Sequence, residues 1–229
     1  MNLGAVSLVY NEAPLIEGCV ESLKPFVNRH VMLVSERPYY GQCLLSDGSA
    51  DIADELGCEV VEGFWEMDHH QRNTGIAMLQ DCDWIICTDV DMWLEHHVVE
   101  KLINKLENTT SEAFIIKQQS YWKTTEWRIK DDDFKPVIAI KPHVRFVHIG
   151  NVAAPCEVLE DIEIHHLAWC APKDIKKKIE TYSHAKDHNW DGWYEKHYEN
   201  WKEGEDIVFP DRTFKAEYNP LPEELKQYL

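Results

Sequence analysis

The stretch Trp84-Ile85-Ile86-Cys87-Thr88-Asp89-Val90-Asp91 runs apolar for four residues and then closes on two acids. An uninterrupted apolar run suits a strand covered on both faces, and it stops where solvent or ligand should begin. Carboxylates at i and i+2 of a strand share a face. Asp89 and Asp91 can therefore both offer hard oxygens to one divalent cation if the chain turns just after them. Alone, the pair reads equally as a solvated turn with Asp91 capping a helix, so the surrounding sequence must decide.

Upstream, short apolar runs alternate with amphipathic segments: Ala5–Val9, Leu15–Leu23, Val31–Val34, Ile52–Leu56, Glu59–Val61, Thr74–Leu79 and then Trp84–Thr88. The rhythm is strand, helix, strand, helix, and it predicts an α/β fold with a mostly parallel sheet flanked by helices. Asn11, Glu12, Ser35, Glu36, Asp89 and Asp91 then fall at the carboxyl ends of strands, the edge where such sheets bind ligands. Downstream, Val98–Leu106 has helical spacing and Ala113–Lys117 reads as a strand. Val137–Ile140 with Val144–Ile149 suggests an antiparallel hairpin around Lys141-Pro142-His143. Asp174–Tyr182 reads as a basic amphipathic helix, His184 to Trp201 is rich in aromatics, and Pro210, Pro220 and Pro222 mark a tail packed back on the body. The division expected is one domain over 1–229, with a ligand-binding half at 1–110 and an irregular α+β half at 111–229.

Composition narrows the partners. With 41 acidic against 23 basic residues the formal charge is −18, which repels nucleic acid and anionic surfaces. An anionic small ligand must be held by local cations. Seven cysteines occur without Cys-x-x-Cys or regular spacing and read as reduced, mostly buried thiols. No stretch approaches the ~20 apolar residues of a membrane span, and no leader pattern follows Met1, so a soluble, cytoplasmic protein is expected.

Taken in order, Val6-Ser7-Leu8-Val9-Tyr10-Asn11-Glu12, the helix after it, Arg72-Asn73-x-Gly75 and Ile85-Ile86-Cys87-Thr88-Asp89-Val90-Asp91 resemble the nucleotide-binding half of a family 2-like glycosyltransferase with the GT-A, Rossmann-like fold. One departure is that Ser35-Glu36-Arg37-Pro38 follows the second strand, where that family usually carries Asp-Asp-Gly-Ser; Asp47-Gly48-Ser49 comes a dozen residues later. The resemblance implies a donor site for a UDP- or GDP-sugar with Asn11, Glu12, Glu36, Arg72, Asn73 and Asp89 around it. Glu12 and Glu36 would read the base, and Asn11 or Glu12 alternatively caps the first helix. Arg72 would pair with a phosphate, while Asn73 and Gly75 would bring their helix close to the donor. Asp91 would ligate Mn²⁺ or Mg²⁺ directly, with Asp89 on the ribose or reaching the ion through water.

The second half would complete the site. GT-A enzymes often add a histidine ligand, and His165-His166 is placed to supply it; adjacent strand residues face opposite sides, with His166 preferred over His165. A zinc hydrolase is disfavoured, since His184-x-x-x-His188 lacks a general-base Glu after its first histidine. No phosphate-binding Gly-rich loop or nucleophile elbow occurs. An inverting displacement needs a carboxylate to take the acceptor proton. Glu160-Asp161 echoes the family's acidic pair, with Asp161 preferred as the base; Glu126 and Asp131-Asp132-Asp133 are the other acids available. Aromatic faces stack on sugars, so Tyr121, Trp122, Trp127 and Trp169 are expected on the side of a glycan acceptor, although such rings also fill cores. Lys176, Lys177, Lys178 and Lys186 are further candidates beside the diphosphate. Two other functions fit parts of the pattern: a nucleotidyltransferase acting on a sugar phosphate, and a non-catalytic glycan-binding module.

Overall fold

The computed structural model describes residues 1–148 and 150–229. Its first half is the expected alternation: β1 (Leu3–Val9), α1 (Ala13–Leu23), β2 (Arg29–Ser35), α2 (Ser49–Glu55), β3 (Glu59–Gly63), α3 (Asp68–Met78) and β4 (Trp84–Asp89). β1 pairs in parallel with β2 and β4, and β2 with β3. Val6 lies opposite Val31 on one side and Cys87 on the other. All three are buried, which is why these strands are apolar throughout rather than alternating. Gly75 lets α3 lie close on this sheet, because a Cβ there would stand 2.8 Å from Val6 Cγ1 and 3.0 Å from Leu33 Cδ1. The close approach seen at Gly75 is to the sheet.

After β4 come β5 (Met92–Trp93), α4 (His96–Glu107), β6 (Ala113–Lys123), β7 (Trp127–Ile129), β8 (Val137–Ile140), β9 (Phe146–His148), β10 (Asn151–Val152), β11 (Cys156–Cys170) and α5 (Ile175–Thr181). The expected hairpin over 137–149 does not form. β8 instead inserts antiparallel between β4 and β6, where all four of its residues are buried, while β9 pairs with β10. Ile149 lies outside the described residues. Phe146 is held by Asn73, whose amide donates to its carbonyl at 2.8 Å and accepts from its N–H at 3.0 Å, which ties β9 to α3 outside the main sheet.

β11 runs parallel to β6 over most of its length and pairs antiparallel with β5, His166 opposite Met92. The irregular second half builds its own core from Trp122, Ile129, Ile175, Ile179, Trp193, Tyr198, Trp201 and Ile207. The tail packs back as expected: Ala216–Tyr218 pairs with β7, and Leu221 and Leu225 enter the core beside α1. No helix among the described residues is long and apolar enough to cross a membrane.

Candidate functional site

A cleft of about 1040 Å³ opens along the carboxyl edge of the parallel strands. Its floor is the turn after β4, fixed from several sides. Val90 N–H donates to the Leu8 carbonyl at 3.0 Å, Leu167 N–H to the Asp91 carbonyl at 2.8 Å, and Trp93 Nε1 to the Val90 carbonyl at 2.9 Å. Trp93 sits in that position because residue 18 is glycine; a Cβ there would lie 2.3 Å from its ring. The β5–β11 register then brings His166 beside Asp91, which sequence distance alone does not reveal.

Asp91 is only 3% exposed. His166 Nε2 stands 3.6 Å from Asp91 Oδ2, and Nδ1 is 3.2 Å from Ser120 Oγ. A metal ligand needs the tautomer with the proton on Nδ1, toward Ser120, and the Nε2 lone pair on the Asp91 side. Asp91 Oδ1 is buried with no hydrogen-bond partner among the described residues. A buried carboxylate oxygen left unpartnered is costly, and an oxygen–imidazole pair suits a Mn²⁺- or Mg²⁺-type ion. The residues present therefore fit a divalent cation. His165 faces the other way, within 3.0 Å of Tyr121 OH through Nδ1 and 3.3 Å of Glu95 through Nε2, so it does not join the pair.

Cations surround the acids. Lys173 Nζ lies 2.5 Å from both Asp91 Oδ2 and Glu12 Oε1, and Lys178 Nζ is 3.9 Å from Asp91 Oδ2. Burial alone would raise the Asp91 carboxyl, but Lys173, His166 and Lys178 together hold it well below the usual carboxylate range. At Glu12 burial wins and the carboxyl is raised, the Asp91 charge adding to it against Lys173. Burial and the neighbouring Lys173 charge bring Lys178 down to about 8. Arg72, expected on a phosphate, pairs instead with Asp89 Oδ1 at 2.5 Å, with its guanidinium 5.3 Å from the Phe146 ring. It orients Asp89, and Asn73 serves by holding Phe146.

The end of the cleft beside the start of α1 is lined by Tyr10, Asn11, Glu12, Tyr39, Asp47 and Gln71. Asn11, at φ 49°, donates to the Leu45 carbonyl at 2.9 Å. Asp47 accepts from Ala13 N–H at 2.9 Å and from Ser49 N–H at 3.1 Å, tying the starts of α1 and α2 together. Tyr39 OH donates to Gln71 Oε1 at 2.6 Å, and Gln71 donates on to the Leu33 carbonyl at 2.7 Å. Glu36 is exposed and outside the cleft lining; Asp47 stands there in its place.

Glu160 and Asp161 do not reach this cleft. Asp161 pairs with Lys101 at 2.9 Å, Glu160 with Lys135 at 2.6 Å, and both line a separate, smaller depression with Glu95, His97 and His165. The two-residue acidic match therefore sets neither carboxylate in the large cleft. Asp132 does line the cleft; Gln118 Nε2 approaches its Oδ2 at 3.4 Å and donates to Ser120 Oγ at 2.8 Å. Of the four aromatics expected near an acceptor, Trp169 lines the cleft with Tyr182 and Trp190. Tyr121 and Trp122 are fully buried, and Trp127 packs against Trp201 and Tyr218. Lys176 pairs with Glu195, and Lys186 lies over Tyr40. His184 is bound to Asp187 at 2.6 Å. Sequence reasoning missed Lys173; its signal was a lysine just before Asp174, the residue that caps α5 by accepting from Lys177 N–H.

Residues 5–162 match the profile described as Glycosyl transferase family 2. Among solved structures, S. aureus TarS 1-349 in complex with UDP-GlcNAc is similar at 11% identity and TM-score 0.52, over 76% of this chain and 60% of that one. A mycobacterial protein aligns at 13% identity and TM-score 0.50, over 72% and 67%. Mannosyltransferase PcManGT from Pyrobaculum calidifontis, in complex with GDP-Man and Mn²⁺, aligns at 15% and 0.49, over 72% and 56%. The chain thus spans 60% of the length of the TarS structure, and at these identities the likeness is one of fold. No curated protein sequence matches it significantly.

Proposed function

Because the chain belongs to glycosyl transferase family 2 and has the GT-A fold, we propose that it transfers a monosaccharide from a nucleoside diphosphate sugar to an acceptor hydroxyl, with Asp91 and His166 holding Mn²⁺ or Mg²⁺. The observation that carries this reading is the buried Asp91, one oxygen without a partner and the other facing His166 Nε2 at 3.6 Å, at the bottom of a large cleft. A UDP-sugar complex of the TarS fold relative supports the donor class. When bound, the ion neutralises the departing diphosphate as a Lewis acid.

The chain's own residues do the rest. Tyr10, Asn11, Asp47 and Gln71 border the nucleoside, and Asp89, fixed by Arg72, faces the ribose. Lys173 and Lys178 supply positive charge to the diphosphate, which the net charge of −18 otherwise disfavours. Trp169, Tyr182 and Trp190 give a glycan acceptor apolar ring faces. For an inverting displacement we assign the base to Asp132, which lines the cleft and is joined through Gln118 and Ser120 to the His166 wall; it takes the proton of the attacking hydroxyl.

The test is product analysis with a panel of UDP-, GDP- and dTDP-sugars, Mn²⁺ and simple glycan acceptors. Release of nucleoside diphosphate with growth of the acceptor supports the proposal. Release of pyrophosphate from a nucleoside triphosphate and a sugar phosphate would point to nucleotidyl transfer. Glycan binding without any turnover would point to a binding module.

A further inference from the structure

Lys173 stands where a cation is wanted. Its Nζ is 2.5 Å from Asp91 Oδ2, the same oxygen that His166 Nε2 faces at 3.6 Å, and its side chain is only 6% exposed. A divalent ion held between Asp91 and His166 would compete with Lys173 for that oxygen, setting two positive charges side by side against one buried carboxylate. The two cannot share it favourably. The present arrangement is also incomplete, since the ammonium engages Oδ2 while Oδ1 stays unpartnered. An ammonium on a flexible four-carbon stem can move to a new anion without rebuilding its surroundings, and Lys173 lies in the short turn between β11 and α5. Lys178, 3.9 Å from the same oxygen, adds repulsion that favours such a move.

Resting on the proposed function, we propose that Lys173 is an exchangeable internal cation: it occupies Asp91 and Glu12 in the free protein, and moves to the diphosphate of an arriving nucleotide, freeing Asp91 for the divalent ion. Metal and nucleotide then bind with mutual positive coupling, because each removes the obstacle to the other. Free metal alone meets a closed site.

Mn²⁺ titrations followed by the electron paramagnetic resonance of the free ion test this without reference to turnover. They are run on wild type, Lys173→Met and Asp91→Asn, each with no nucleotide, with UDP and with GDP. Wild type should bind Mn²⁺ weakly alone and roughly tenfold or more tightly with one of the nucleotides. Lys173→Met should bind Mn²⁺ without nucleotide about tenfold more tightly than wild type, with the nucleotide effect correspondingly reduced. Equal Mn²⁺ affinity of wild type and Lys173→Met without nucleotide, alongside nucleotide-dependent binding lost in Asp91→Asn, overturns the exchange and leaves the donor site standing. Failure of both nucleotides to recruit Mn²⁺ to wild type overturns the donor reading and the exchange together. Should Lys173→Met not fold, Lys173→Met with Glu12→Gln removes both charges of that pair and carries the same expectation.

Discussion

At the scale of single residues, Asp91 has the most chemistry and the least freedom. It is buried, gripped by Lys173 and set beside His166. Asp91→Asn keeps the shape and removes the charge, so turnover with any nucleotide sugar should fall roughly 100-fold or more, since it takes with it the anchor of the Lewis acid. Ser120 Oγ meets His166 Nδ1 and also accepts from Gln118, and Ser120→Ala should weaken Mn²⁺ binding about tenfold, in line with losses seen when outer partners of metal-bound histidines are removed. The acids divide sharply. Asp132→Asn should lower kcat about 100-fold or more while leaving donor affinity near wild type. Asp161→Asn removes only an exposed pair with Lys101 and should leave kcat within about twofold, because surface ion pairs contribute little. Equal losses at the two positions would sink the assignment of Asp132. The i, i+2 spacing made Asp91 readable from sequence, and strand parity favoured one histidine over its neighbour. Lys173 and Asp132 were not distinguishable from surface charges, because what marks them is which wall of the cleft they reach.

At the scale of elements, the site depends on how α1, β5 and β11 pack. Gly18 in α1 accommodates Trp93, and Trp93 holds the Val90 carbonyl. Gly18→Ala would force a contact of 2.3 Å against a rigid ring and should destabilise the protein by about 1–3 kcal/mol, read from the urea midpoint. A second test concerns β2. His30 is buried with Nε2 2.8 Å from Ser7 Oγ, and burial lowers its pKa to about 4. The unfolded chain, with an imidazole near 6.5, binds the extra proton first. Stability from the neutral His30 is therefore fully present above about pH 6.5 and is lost as pH falls toward 4, by at most about 3 kcal/mol. Denaturant midpoints at pH 7.5 and 5 should converge more in His30→Gln than in wild type; an unchanged difference would show that His30 does not carry it. Periodicity exposed the parallel strands because burial on both faces demands unbroken apolar runs. It left β8 misplaced for the same reason: Val137–Ile140 is apolar throughout, which identifies a buried strand and not its partners.

For the whole molecule, the alternating first half announced the sheet and its ligand edge, while the aromatic second half did not disclose which rings are core. Trp122 and Trp169 are both strand residues of similar neighbourhood, yet one is fully buried and the other borders the cleft. That difference arises from packing among Trp190, Trp193, Tyr198 and Phe209, contacts between segments far apart in the chain. The overall charge of −18 also acts at this scale. Like-charge repulsion slows the approach of an anionic donor and is screened beyond about 10 Å at 0.1 M salt. Stopped-flow association rates for the nucleotide should therefore rise, not fall, as salt increases from low ionic strength. The central claim is that Asp91 and His166 hold a divalent ion that grips the donor's diphosphate. Calorimetric titration of UDP and GDP into wild type and Asp91→Asn, with Mn²⁺ or with EDTA, tests it most directly. Wild type should bind one nucleotide roughly 100-fold more tightly with Mn²⁺ than with EDTA, a coupling of about 2.7 kcal/mol, and Asp91→Asn should lose that gain; equal affinities in Mn²⁺ and EDTA for wild type would contradict it.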